Sequence, residues 1–197
     1  MKKRLVTRCG IGLVVFFLGA GVLAGQTAAA ETKVHPDDAV GFKEFMGRVN
    51  EYEKLRDGIE KKLPALKSKE ELPEMIAAHQ QALARKIGEA RPNAKPGDIF
   101  THDSREAFRH VIRRVFEESH TVSTRTTVRQ KDGVRSVRLR VNGIYPDSIA
   151  ETTVPTALLQ NLPTLPDELA YRIVGRSLVL VDKKANLVVD LLHDALP

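Results

Sequence analysis

The chain reads as an α+β protein, with about three helices first and an antiparallel sheet of about five strands after. Three observations lead there. Apolar residues recur every three or four positions between 45 and 116, which places them on helical faces. From 122 onward the period changes to alternation. The alternating runs are split by Asp132-Gly133 and Gly175-Arg176, residue pairs suited to tight hairpins. Helices grouped before strands, rather than interleaved with them, give α+β.

Residues 1–30 come first and read as an export signal. Lys2, Lys3, Arg4 and Arg8 form a basic start, Gly10 to Gly25 is uncharged, and Ala28-Ala29-Ala30 closes on small residues. That order is a secretory leader, with cleavage expected after Ala30. The uncharged run is sixteen residues, short of the roughly 20 a spanning helix needs. No transmembrane segment is expected after cleavage, and the mature chain is placed in the periplasm or outside the cell. Leu23-Ala24-Gly25 precedes Gln26, not the cysteine a lipid anchor requires; the one cysteine, Cys9, lies in the leader. The expected organisation is signal 1–30, helical region 31–119 and β region 120–197, the last two sharing a domain.

Losing the leader changes the charge. The whole chain has 31 Lys and Arg against 25 Asp and Glu, a formal +6. Four of the basic residues and none of the acids lie in 1–30, leaving 27 against 25, or +2. The high isoelectric point belongs largely to the leader and carries no argument for nucleic acid. The cysteine-free mature chain can form neither disulfides nor Cys-ligated zinc, so its stability rests on an apolar core.

The first helix is marked by Phe45, Val49, Tyr52, Leu55, Ile59 and Leu63, with Asp37 or Asp38 as its cap and Pro64 as its stop. The second carries Leu72, Met75, Ile76, His79, Leu83 and Ile87. Ser68 and Glu71 stand at capping-box spacing before it, and Pro73 fits its first turn. The short link predicts an antiparallel helical hairpin. Residues 91–101 hold Pro92, Pro96 and Gly97 and read as a loop. Asp103 and Glu106 then open a third helix, with Phe108, Val111, Ile112, Val115 and Phe116 as its stripe.

Residues 122–130 and 134–141 are expected to form a hairpin about Asp132-Gly133. This register sets Val128 opposite Val137, Thr126 opposite Leu139 and Thr124 opposite Val141, all on one face. Residues 142–169 are irregular and proline-rich, with a helical turn at Thr156 to Gln160. Ala170–Val174, Ser177–Asp182 and Leu187–Leu191 follow as a meander.

The end of the chain, Tyr171-Arg172-Ile173-Val174-Gly175-Arg176, Leu178-Val179-Leu180-Val181-Asp182, Ala185-Asn186-Leu187, Val189-Asp190 and Ala195-Leu196-Pro197, resembles the tail of uncharacterised exported bacterial proteins. The resemblance covers roughly the last fifty residues. It implies a periplasmic or secreted protein and brings no functional residues with it.

Common catalytic signatures are missing: there is no HExxH, GxSxG or P-loop. Ser177 follows Gly175 but lacks the second glycine of a nucleophile elbow and reads as part of a turn. His102, Glu106 and His110 share a face of the third helix. The outer two stand about 12 Å apart along its axis, too far for one ion. Glu117-Glu118-Ser119-His120 has the Glu-x-x-His spacing of a di-iron half-site, in one copy only. Arg113 with Glu117 and Arg114 with Glu118 are spaced as ion pairs. His79, on an apolar stripe, reads as a half-buried packing residue. Asp182 and Asp190 flank the last turn, where carboxylates serve turn chemistry or acid/base work. No metal or cofactor is implied.

Charge is concentrated in one stretch. Residues 105–140 hold ten basic and four acidic side chains, a local +6 against −1 over residues 31–104 and −3 over residues 141–197. Arg125, Arg129, Arg138 and Arg140 are expected on one hairpin face, with Arg125 opposite Arg140. Like charges so placed cost stability but suit an anion, because a guanidinium matches carboxylate and phosphate. The expected function is an exported non-enzymatic protein that binds an anionic envelope lipid, a polysaccharide or an acidic protein there. Nucleic acid is not expected, since no aromatic residue interleaves the arginines. The alternative is a metal-dependent or hydrolytic enzyme using the His/Glu face of the third helix.

Overall fold

The computed structural model describes residues 36–65, 72–118, 138–146, 149 and 154–197. Helix α1 spans Pro36–Glu60, α2 Pro73–Ala90, α3 His102–Glu118 and the short α4 Thr156–Leu159; strands β1, β2 and β3 are Leu169–Val174, Ser177–Asp182 and Leu187–Leu192.

Helix α1 packs most extensively on α3. Its buried stripe is Phe42, Phe45, Val49 and Tyr52. Asp38 lies inside the first turn rather than before it, because α1 starts at Pro36. At the far end, Lys62 and Leu63 donate to the carbonyls of Ile59 and Glu60, three residues back. This tightened turn precedes Pro64, which cannot continue a helix. The α1–α3 contact depends on Gly41. A Cβ there would lie 2.6 Å from the Asp103 carbonyl oxygen and 2.9 Å from Ala107 Cβ. Gly41→Ala should therefore push two helix backbones apart and cost about 1–3 kcal/mol, read as a lowered urea midpoint.

Helix α2 has Pro73 in its first turn, as expected, with Leu72 at the N-cap and no side-chain cap. Ser68 and Glu71 lie outside the described residues. Its stripe is only half used. Leu83, Ala84 and Ile87 are buried, His79 is half-buried, and Leu72, Met75 and Ile76 are exposed. The helical spacing is real, but only the C-terminal half of the stripe reaches the core.

The sheet is a meander in the order β1-β2-β3, with Val174 opposite Ser177 and Asp182 opposite Leu187. Gly175 takes φ +57, the left-handed conformation that a two-residue hairpin loop asks of glycine. Among the described residues the sheet has three strands, not about five. The expected hairpin over 122–141 falls largely outside those residues, and 138–140 carry no strand. Instead, residues 142–145 run along the open edge of β3. Asn142 and Tyr145 donate to the Val188 and Asn186 carbonyls, Val188 donates to Gly143, and Ile144 forms a single bridge with Leu187.

The sheet is covered on both sides, which explains why β2 and β3 read as continuous apolar runs. One face, with Tyr171, Ile173, Leu178, Leu180, Leu187 and Val189, joins α1, α2 and α3 in a single core. Within it Phe45 stacks on Phe100 at 5.2 Å and meets Phe108 edge-on at 4.8 Å. The other face, with Val179, Val181, Val188 and Leu191, packs against Tyr145, Ile149, Leu139 and Val141.

Candidate functional site

Two aspartates sit in the sheet with no solvent exposure, and each is fully engaged. Asp182 ends β2. Its Oδ2 accepts from Tyr52 Oη at 2.9 Å and Arg56 Nε at 3.0 Å, and its Oδ1 accepts from Ala185 N at 2.9 Å. Tyr52 and Arg56 lie one turn apart on the inner face of α1, so this cluster ties α1 to the β2–β3 turn. Arg56 is 2% exposed. Its Nη1 meets Asp57 Oδ1 at 2.7 Å, and its Nη2 lies 3.0 Å from Glu60 Oε2, off the hydrogen-bonding direction. Burial works against the charge on Arg56, but Asp182, Glu60, Glu168 and Asp57 together hold its pKa above the ordinary value.

Asp190, in β3, pins the loop ahead of α3. Its Oδ1 accepts from Gly97 N at 2.9 Å and Leu191 N at 2.7 Å. Its Oδ2 accepts from Ile99 N at 2.7 Å and Phe100 N at 2.8 Å. Burial pushes its carboxyl above the ordinary value, and the four N–H groups offset that only in part. The two carboxylates thus serve different partners and do not meet as an acid/base pair. Their work is to join the helices and the loop to the sheet.

Burial also pushes the Tyr52 hydroxyl well above the ordinary tyrosine value of 10.0, reinforced by the Asp182 charge, and burial alone does the same to Tyr171. An acid whose folded pKa lies above its unfolded one leaves the folded state holding more protons in the window between. Stability then falls as pH rises through it. Unfolding free energy should decline once pH passes the ordinary tyrosine range, and near-UV absorbance should show these two tyrosines ionising only on unfolding.

The histidines of α3 take different partners. His102 and Glu106 are exposed, and Glu106 accepts from Arg109 Nη1 at 3.2 Å. His110 turns to α1, its Nδ1 2.8 Å from Oδ1 of Asp38. Asp38 is 2% exposed, and its Oδ2 has no hydrogen-bond partner among the described residues. Among those residues no three metal-ligating side chains converge on one point. His120 lies outside them. Ser177 Oγ stands 3.5 Å from His193 Nδ1 at the exposed end of the β1–β2 hairpin, a long contact for a hydroxyl.

An open cleft of about 410 Å³ runs between α1 and the 97–101 loop, with Arg48, Glu51, Tyr52, Arg91 and Asp98 among its walls. Its charges balance. Arg48 meets Glu51 at 3.3 Å, and Arg91 lies 5.2 Å from the Tyr52 ring centre while reaching the Val189 carbonyl.

Of the four arginines expected on one face, Arg125 and Arg129 lie outside the described residues. Arg138 and Arg140 are exposed. Neither forms an ion pair with an acid among the described residues, nor do Arg113 and Arg114. The expected pairs Arg113–Glu117 and Arg114–Glu118 are not made. Sequence reading missed Arg56 as a buried anchor. Its signal was positional: it stands four residues after Tyr52, on the stripe that Val49 and Ile59 share.

No helix among the described residues is long and apolar enough to cross a membrane. Comparison with protein-family models, with curated proteins and with solved structures finds no match to this chain.

Proposed function

We propose that this chain is an exported, non-enzymatic protein that binds an anionic partner in the cell envelope through the arginines of residues 105–140. The partner is an anionic lipid, an acidic polysaccharide or an acidic protein. One observation carries the reading. In a stretch with a local charge of +6, Arg113, Arg138 and Arg140 are exposed and no described acid neutralises them. A guanidinium left unpaired at the surface keeps its donors for carboxylate or phosphate. Export rests on the basic, apolar and small-residue order of residues 1–30 and puts the protein beside such partners. The buried aspartates support a scaffold role for the sheet, since both carboxylates are consumed by the fold.

The test is a titration with anionic vesicles, an acidic polysaccharide and an acidic protein, in separate arms. A variant carrying Arg125→Ala, Arg129→Ala, Arg138→Ala and Arg140→Ala should lose at least tenfold in affinity for whichever partner the wild type binds. Unchanged affinity would remove this face from the account.

A second reading rests on Asp38 and His110. A buried carboxylate that orients a surface histidine is an arrangement seen in hydrolytic and metal-dependent sites. It would make the α3 face an enzyme's, with His110 as the base or ligand. Turnover or metal uptake lost on His110→Ala would favour it.

A further inference from the structure

The cleft between α1 and the 97–101 loop holds two charges that the fold leaves without a counter-ion. Arg48 and Glu51 meet each other at 3.3 Å. Arg91 and Asp98 line the same cleft, and both are part-buried. Neither forms an ion pair with the other or with any other described residue. A charge drawn partly out of water is favoured by a partner of opposite sign, and here one cation and one anion wait on the same opening.

Each group is nevertheless fixed in place. Arg91 closes α2, and its carbonyl accepts from Asn142 Nδ2 at 2.7 Å. Its guanidinium lies 5.2 Å from the Tyr52 ring centre. It reaches the Val189 carbonyl at 3.4 and 3.5 Å and Asn142 Oδ1 at 3.5 Å. These contacts are long and go to neutral acceptors, so the fork keeps donor capacity for a carboxylate. Asp98 Oδ2 accepts from Lys95 N at 3.0 Å, a turn contact that orients the carboxylate without neutralising it. The loop that carries Asp98 is held by Asp190 through Gly97 N, Ile99 N and Phe100 N. Both charges are set before a ligand arrives, which lowers the ordering cost of binding.

Volume and charge limit the ligand. The cleft is about 410 Å³, within the range of small-molecule sites. Leu55, Ile99 and Tyr52 give it apolar surface. A simple anion on Arg91 would meet Asp98 as a like charge, and a simple cation on Asp98 would meet Arg91. A molecule carrying both a carboxylate and an ammonium satisfies the two together, and a cleft of balanced charge suits a ligand of no net charge.

We infer that this cleft binds a small zwitterion of the amino-acid class, with its carboxylate on Arg91, its ammonium on Asp98 and an apolar side chain against Leu55 and Ile99. A free amino acid and a short peptide share that chemistry. The site uses none of the arginines of residues 105–140 and stands without the function proposed above.

Calorimetric titration of the purified protein with leucine and with leucyl-leucine tests it. At least one should bind saturably, and the tighter of the two tells amino acid from peptide. N-acetylleucine lacks the ammonium and leucinamide lacks the carboxylate. Each should bind about tenfold more weakly than leucine or the dipeptide, because each leaves a charged group of the cleft unpaired. Asp98→Asn keeps the Lys95 contact through its amide oxygen. It should weaken the zwitterion about tenfold without weakening N-acetylleucine. Arg91→Lys, with circular dichroism unchanged, should weaken the zwitterion without weakening leucinamide, because an ammonium lacks the planar fork. Absence of binding by both zwitterions up to their solubility would overturn the proposal. So would equal binding of the blocked forms, or full affinity in Asp98→Asn.

Discussion

Asp190→Ala should lower the unfolding free energy by at least ~3 kcal/mol, because it strands backbone donors that cost about 1–3 kcal/mol each when buried and unpaired. Gly97, Ile99, Phe100 and Leu191 all give their N–H groups to this one carboxylate. Domains of this kind are stable by only about 5–15 kcal/mol, so the loss takes a large share. Asp190→Asn should cost less, since its amide oxygen still accepts while its NH₂ turns donors toward donors. The consequence reaches beyond β3. Phe100 stacks on Phe45, so freeing the 97–100 loop should loosen the aromatic centre of the core. Urea unfolding by circular dichroism, with near-UV signal for the aromatic packing, reads both effects. The pH dependence has a definite sign. Because burial holds the Asp190 pKa above the ordinary value, the folded state binds the extra proton in the window between its unfolded and folded values. The contribution of Asp190 to stability is therefore greatest below that window and falls as pH rises through it. In Asp190→Asn that component should vanish.

Asp182→Ala should cost about 3–5 kcal/mol, the range found when one partner of a buried ion pair is removed. Arg56 is 2% exposed and would keep its charge with Asp57, Glu60 and Glu168 around it but no buried partner. Tyr52 and Ala185 N would lose their acceptor as well. Replacing both charges, with Arg56→Met and Asp182→Leu together, should recover part of the loss, since an apolar pair of similar volume removes the desolvation cost. A double-mutant cycle measures the coupling. A cost for Asp182→Ala below about 1 kcal/mol would mean that the pair is solvated like a surface bridge.

These two anchors show what could be read from the residues beforehand. Apolar periodicity located all three long helices, and turn residues located the three-strand meander within one residue at each end. Those signals are local, so sequence carries them. The roles of Asp182 and Asp190 are local only in part: Asp182 accepts from Ala185 N in the β2–β3 turn, as turn chemistry expects, but the rest comes from far along the chain. Both were visible as acids in or beside continuous apolar runs, but their partners come from 126 and about 90 residues away. Turn chemistry was the nearest local explanation for them. Nothing in the spacing of α2 says that Leu72, Met75 and Ile76 stay exposed while Leu83 and Ile87 are buried. Whether a stripe is covered depends on where its neighbour goes. Edge pairing of residues 142–145 with β3 was hidden for a related reason: it is made by backbone groups and leaves no side-chain pattern. For the candidate anion face, sequence supplied the charge segregation, and the structure added that Arg138 and Arg140 are exposed and unpaired among the described residues.

The salt dependence of binding to the proposed anionic partner tests the central claim most directly. If guanidinium groups of residues 105–140 hold the partner, affinity should fall steeply as ionic strength rises, because exposed charges are screened over about 10 Å at moderate salt. Affinity that stays level across that range, or equal binding to a neutral counterpart, would contradict it.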